Sequence, residues 1–297
     1  MRPFVFYFIA ASGVAALYVV LGILRSTSRR SRRRNPLTRN LLRSPGHTVR
    51  NEIDELSLDI LSDASIIMVA FCLAALGFSV VDQQGGTASA HGVLAIAFSL
   101  LLIFFITRLV RNIQRRHRLR LALDAEMATG EELNQLMLSG CRVFHDFPAD
   151  RFNIDHVVVG PRGVLAVETK ARAKPVRGRG REDARVTYDG NLLLFPTWQE
   201  REPLEQASRQ AVWLGKWLTS AVGEPVTVHA AVALPGWYVD GKGAAPPIVF
   251  NPRNAPFPAE RAGDRQLSGA LIQRIAHQIE QRCRDVMPQA FRDPEHH

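Results

Sequence analysis

Three stretches of the chain are apolar without the alternation that marks a half-buried helix or strand. Residues 4–24, 64–81 and 93–110 run for 21, 18 and 18 residues, and Arg108, near the end of the third, is the one charge in them. At 1.5 Å of rise per residue, each is near the length that crosses about 30 Å of hydrocarbon. A signal-peptide core is shorter, about 7 to 15 residues, and has its positive charge ahead of it. Here the basic cluster follows the first run, so the pattern predicts three transmembrane helices, the first retained as an anchor. Between the first two, residues 49–61, with Ile53, Leu56, Leu58, Ile60 and Leu61, read as a short amphipathic or interfacial helix.

Beyond residue 111 the pattern changes to short periodic segments. Helical spacing over 120–137, interrupted by Gly130, predicts one kinked helix or two joined ones. A strand follows near 141–147. The β-branched runs 154–159 and 164–169 flank Gly160-Pro161-Arg162-Gly163, a turn sequence that makes them a hairpin. A strand over 191–195, a helix over 203–222 with Pro203 in its first turn, strands over 226–234 and 248–250, and an amphipathic helix over 266–286 complete the series. The order α-β-β-β-β-α-β-β-α predicts a mixed-sheet α/β domain over residues 111–297. No repeat of 20 to 50 residues and no common nucleotide, serine-hydrolase or zinc-protease motif occurs in the chain.

Charge gives these segments an orientation. The chain carries a net charge of +9, and nine arginines with no acid fall within residues 25–50, including Arg29, Arg30, Arg32, Arg33 and Arg34. Arg111, Arg115, Arg116, Arg118 and Arg120 follow the third run, whereas residues 82–91 hold no Lys or Arg. The positive-inside rule places both basic regions in the cytoplasm, with the 82–92 loop and the N-terminus outside. Arg108 would snorkel to the headgroups. The expectation is a multi-pass protein of a bacterial inner membrane with its globular domain cytoplasmic. Its basic face would meet anionic lipid, nucleic acid or both. Three scattered cysteines, Cys72, Cys141 and Cys283, support neither a disulfide framework nor a zinc cluster.

Chemistry concentrates at the hairpin. Strand alternation projects Glu168 and Lys170 together, and an antiparallel partner can bring Asp155 beside Glu168. Two carboxylates on one face repel unless a cation lies between them, and hard oxygen ligands suit Mg²⁺ or Mn²⁺. With Lys170 adding positive charge, the set fits phosphodiester hydrolysis. A cross-strand salt bridge at a sheet edge is the alternative reading of the same spacing. His156 points to the opposite sheet face, where it has a packing or hydrogen-bonding role, and His145 with Asp146 reads as a strand-end surface feature. Arg177, Arg179 and Arg181, spaced by glycines, form a mobile phosphate-seeking loop or a merely solvated one. Trp213 and Trp217, four apart on a helix, read as core.

Thr129-Gly130-Glu131-Glu132, Phe144-His145-Asp146, Ile154-Asp155-His156, Gly163-Val164, Glu168-Thr169-Lys170 and Pro203-Leu204-Glu205-Gln206-Ala207 together resemble the nuclease-related domain (NERD) family. That family is assigned to the PD-(D/E)XK nuclease-like superfamily. The resemblance covers roughly residues 127–235, and the membrane segments lie outside it. It implies that Asp155 and Glu168 ligate a metal, that Glu131 adds a third carboxylate from the preceding helix, and that Lys170 and Gln206 act at the water or the scissile phosphate. The resulting expectation is a membrane-anchored nuclease dependent on Mg²⁺ or Mn²⁺, with DNA as the first reading of its substrate and RNA as the second. A nuclease-like fold that binds nucleic acid or scaffolds at the membrane without cutting is the alternative, since fold and activity separate easily.

Overall fold

The computed structural model describes residues 36–241, 247–253 and 266–288. The first expected span, residues 4–24, and the arginines from Arg25 to Arg34 lie outside the described residues. The chain forms two compact units. Of the described residues, one unit holds 36–39, Glu52–Arg118 and Pro288, and the other holds Asn40–Asn51 and those between Leu119 and Met287.

Two long helices, α1 (His47–Gln83) and α2 (Ala88–Asn134), supply most of the described part of the first unit, while 47–51 of α1 and 119–134 of α2 belong to the second. Both are long and apolar enough to cross a membrane, and their apolar windows are only 6% and 0% buried, which is not the environment of a core helix. No Gly or Pro stands between Thr48 and Leu76, or between Val93 and Thr129, so nothing ends either helix early. The helices expected separately over 49–61 and 120–137 are therefore the polar ends of these two rods, and Gly130 interrupts nothing. Gly85, at φ +66°, lies in the turn between them. Asp63, its side chain fully buried, ties the two helices: it accepts from Asn112 Nδ2 at 3.1 Å and pairs with Arg108 Nε at 3.3 Å. Arg108 thus meets an opposite charge on the neighbouring helix and does not simply reach outward. Near the turn, His91 Nε2 lies 2.8 Å from Asp82 Oδ1.

The second unit is a mixed α/β domain. Its main sheet has the order β1-β2-β3-β7-β9, built from β1 (Arg142–Pro148), β2 (Asn153–Gly160), β3 (Gly163–Thr169), β7 (Val228–Ala233) and β9 (Ile248–Phe250). The first three strands are antiparallel neighbours, and β3, β7 and β9 run parallel. Gly160 pairs with Gly163, so Pro161 and Arg162 form the predicted tight turn, and Gly163 takes a φ of +131° there. Alternation sends Val157, Val159, Val164 and Ala166 to one face, under α3 (Glu202–Val222) and α4 (Gly269–Cys283). Val158, Leu165 and Val167 face the other way, onto Leu133 at the end of α2. Pro203 opens α3 and Ser268 caps α4 by accepting from the Leu271 amide at 3.2 Å.

A second, smaller sheet of order β6-β5-β4-β8 was not expected. The strand predicted over 191–195 is only β5 (Leu193–Leu194), joined by β4 (Arg185–Tyr188), β6 (Gln199–Glu200) and β8 (Tyr238–Gly241). Strands of two to four residues are too short to show a period.

Candidate active site

The β2–β3 hairpin builds the site. The pairing of His156 with Val167 sets Asp155 opposite Glu168 just beyond the turn-distal end of the ladder, and the Thr169 amide donates to Asp155 Oδ2 at 2.7 Å. Lys170 leaves the strand with its amide bonded to the Ala233 carbonyl on β7 at 2.9 Å, which fixes where its side chain starts. From there Lys170 Nζ reaches Glu168 Oε1 and Gln206 Oε1, both at 2.8 Å. Gln210 lies one turn after Gln206 on α3, and its Nε2 donates to Glu168 Oε2 at 2.7 Å and to the Asn153 carbonyl at 3.3 Å. Four of the expected residues, Asp155, Glu168, Lys170 and Gln206, are thus brought together. Gln210 was missed, although its position four residues after Gln206 was a readable signal.

Glu131 is not brought to this place. It is exposed on α2, and the buried acid of that helix is Glu126. Five positions at 100° each put Glu131 about 140° around the helix from Glu126. The inward face is set by Glu126, Thr129, Gly130 and Leu133, all buried. That spacing was visible in the sequence, but an acid amid small residues gave no reason to prefer it over the Gly-Glu pair.

Electrostatics couples the carboxylates. Burial first, then the charges of Asp146 and Glu168, push Glu126 from its ordinary 4.5 up to about 7, while Lys170 and the Gly46 amide act in the opposite direction. Asp155 is likewise held well above the usual carboxylate range, by burial and then by Glu168 and Glu126. Glu126 and Asp155 thus hold protons more tightly than free carboxyls, and the negative charge crowded here with Glu168 beside one lysine would be relieved by a divalent cation. Hard oxygen donors suit Mg²⁺ or Mn²⁺, so the residues fit such an ion in charge and chemistry. Among the described residues, however, no three His, Cys, Asp or Glu side chains stand together as a preformed cage. Glu168 has both oxygens engaged, by Lys170 and Gln210.

Around this centre, Arg172 forms a two-pronged pair with Glu200 at 2.7 and 2.6 Å, and Trp198 Nε1 donates to the same carboxylate at 2.6 Å. The Arg177–Arg181 segment is organised and not a loose loop. Asp183 Oδ2 accepts from the amides of Arg177 and Arg179 at 2.9 and 3.2 Å, with Gly178 and Gly180 at positive φ. Arg181 lies over the Tyr238 ring at 4.4 Å.

The histidines lie on the other sheet face. His145 Nδ1 and His156 Nδ1 are 2.9 Å apart, and His145 Nε2 bonds Asn134 Oδ1 at 3.0 Å. His145 is buried, which corrects its expected place at the surface; pairing with His156 across the β1–β2 ladder carries it inward. Burial lowers the pKa of His145 to about 4, and burial followed by the charge of His145 holds His156 well below the usual imidazole range, so both rings stay neutral and one donates to the other. Trp213 and Trp217 stack in parallel and pack on Phe147, in keeping with a core role.

Residues 122–235 match the family model described as nuclease-related domain. No curated protein and no solved structure matches the chain.

Proposed function

Taking as premise that residues 122–235 are a nuclease-related domain, we propose that this protein is a membrane-anchored, divalent-metal-dependent nuclease that hydrolyses the phosphodiester bonds of DNA. The observation that carries the reading is the Asp155–Glu168–Lys170 group at the open end of the hairpin, with Gln206 and Gln210 holding it from α3. Antiparallel β2 and β3, a following helix and a parallel β7 support reading the domain as a PD-(D/E)XK-like frame for such a group. Asp155 and Glu168 would hold Mg²⁺ or Mn²⁺, with Glu126 in the place expected for Glu131. When bound, the cation supplies charge neutralisation for the phosphate and activation of water.

The chain's own residues do the rest. Lys170 has two of its three donors turned to Glu168 and Gln206, which leaves the third to meet a phosphate oxygen. Gln210 fixes the Glu168 carboxylate, and the Thr169 amide fixes that of Asp155, so neither acid must reorganise when substrate arrives. Arg177, Arg179 and Arg181 would contact the nucleic-acid backbone without reading sequence.

The two apolar helices support the anchoring. Asn40–Asn51 and Leu119–Met287 form one compact unit, so both flanks of the helical hairpin emerge on the same side of any bilayer it crosses. Arginines on both flanks favour the cytoplasmic side of a bacterial inner membrane and contact with anionic lipid, and residues 4–24 would add a third span beginning outside.

One observation favours a second reading. Both Glu168 oxygens are already bonded, which suits a stable, non-catalytic module that binds nucleic acid at the membrane. The test is cleavage of plasmid and single-stranded DNA by the full chain in detergent, with Mg²⁺, Mn²⁺ or EDTA. Cutting that needs metal and is abolished in Glu168→Ala and Lys170→Ala, with DNA binding kept, is the expected result. Salt-sensitive binding without cutting, equal in all three proteins, would replace the nuclease by the binding module.

A further inference from the structure

Residues 40–51 lie before the apolar hairpin in sequence and outside the matched stretch, yet they are woven into the domain. Leu41 and Val286 exchange backbone hydrogen bonds at 2.8 and 3.2 Å, and the Arg43 amide donates to the Cys283 carbonyl at 3.0 Å. The Arg43 guanidinium grips Asp285 at 2.8 and 2.6 Å and reaches Asp146 Oδ2 at 3.0 Å. Thr48, in the first turn of α1, gives both its amide and its hydroxyl to the same Asp146 oxygen, at 3.1 and 2.7 Å, while Asn153 Nδ2 donates to the Thr48 hydroxyl at 2.6 Å. Asp146 adopts a positive φ, +49°, although it is not a glycine. Strain of this kind persists where the surroundings over-determine it, and here an arginine and a helix N-terminus fix the carboxylate.

The same segment touches the turn of α2 that carries Glu126. Pro45 lies against Gly130, where a Cβ would stand 2.5 Å from Pro45 Cγ. Gly46 is at φ +67°, a Cβ there would overlap Leu123 Cδ1, and Glu126 Oε2 lies 3.6 Å from that position. Asp146 falls between the pairs His145↔His156 and Phe147↔Ile154, which puts it across the ladder from Asp155. One short segment therefore braces both the helix that brings Glu126 and the strand beside Asp155.

We propose that residues 40–51 are a positioning element of the carboxylate site, with Pro45 and Gly46 seating the Glu126 turn and Arg43 and Thr48 locking it through Asp146. The proposal rests on the nuclease reading only in taking that site as the metal-binding one. Its test uses the full chain in detergent, freed of metal and titrated with Mn²⁺ alone, followed by electron paramagnetic resonance. Support that orients a ligand is worth roughly 10- to 100-fold in metal affinity, so Thr48→Val and Gly46→Ala should each weaken Mn²⁺ binding by about that factor. Thr48→Ser should restore it. Leu218→Ala, a core truncation in α3, controls for stability alone and should leave Mn²⁺ affinity unchanged. Hydrogen exchange supplies the second readout: amides of residues 122–130 should exchange faster in Thr48→Val, with those of β2 and β3 unchanged. Wild-type Mn²⁺ affinity in both variants, together with wild-type exchange over 122–130, would overturn the proposal. If the wild-type chain takes up no Mn²⁺, the nuclease reading fails and exchange alone decides: acceleration over 122–130 upholds the positioning role, and its absence ends it.

Discussion

Replacing Glu126 by Gln should make the metal-free protein more stable at pH 8 while changing little at pH 4.5. The unfolded chain ionises this carboxyl near 4.5, whereas burial and the neighbouring acids hold it protonated in the folded state up to about 7. Between those values the native state keeps a proton that the unfolded state releases, so stability falls as pH rises. Above about 7 the full penalty is present. At 1.36 kcal/mol per pH unit, the interval from 4.5 to about 7 amounts to about 3 kcal/mol. Glutamine keeps the shape without the charge, so the gap between variant and wild type should open through this window and then level off. For a domain of this size, about 2–4 °C per kcal/mol makes that a rise of roughly 6–12 °C in melting temperature at pH 8. The assay is thermal unfolding of both proteins in detergent with EDTA, from pH 4.5 to 8.5. Millimolar Mn²⁺ at pH 8 should narrow the gap by stabilising the wild type more than the variant. A gap that stays flat with pH, or a variant less stable than wild type at pH 8, would refute the placement of Glu126 among the buried carboxylates.

Two further outcomes test other parts of the molecule. Alanine at Arg177, Arg179 and Arg181 together should lower DNA affinity and flatten its dependence on salt, by up to about 0.9 in the log–log slope for each phosphate that is no longer neutralised. A slope equal to wild type would remove the loop from the nucleic-acid surface. Asp63→Ala strips Arg108 and Asn112 of their shared acceptor and should cost the helical hairpin about 1.5–3 kcal/mol, with Asp63→Asn intermediate. Loss of helicity on titration with denaturing detergent reads this directly, and coincident curves for the three proteins would mean that the polar tie contributes nothing.

What the sequence revealed, and what it hid, follows from range. The β2–β3 hairpin, its turn, and the projection of Glu168 with Lys170 toward Asp155 all arise within some 17 residues, where alternation and a Gly-Pro-Arg-Gly turn suffice. Gln206 was placed through the family resemblance, and Gln210 needed only the helical period from there. Choosing Glu126 over Glu131 required the phase of α2, and that depends on which face Leu133 and Thr129 bury. The small sheet β6-β5-β4-β8 was hidden because its strands are too short to carry a pattern, and each is stabilised by neighbours that the local sequence does not announce.

The deepest omission has the same cause in its extreme form. Arg43 meets Asp146 across 103 positions and Asp285 across 242, and Thr48 meets Asp146 across 98. Arg43 and Thr48, read locally, belong to the basic and polar flank of an apolar helix, and arginine next to a membrane span already has a sufficient explanation in topology. That explanation is incomplete for Arg43. An arginine that only marked the inner side of a bilayer would have no reason to hold a buried aspartate at strained φ. The pairing instead requires the flank of the first described helix to enter the fold of the domain that follows the second. A boundary drawn at the end of the apolar runs cuts through this domain, and a fragment that begins after Arg118 leaves Asp146 buried without the arginine and the helix N-terminus that stabilise its charge.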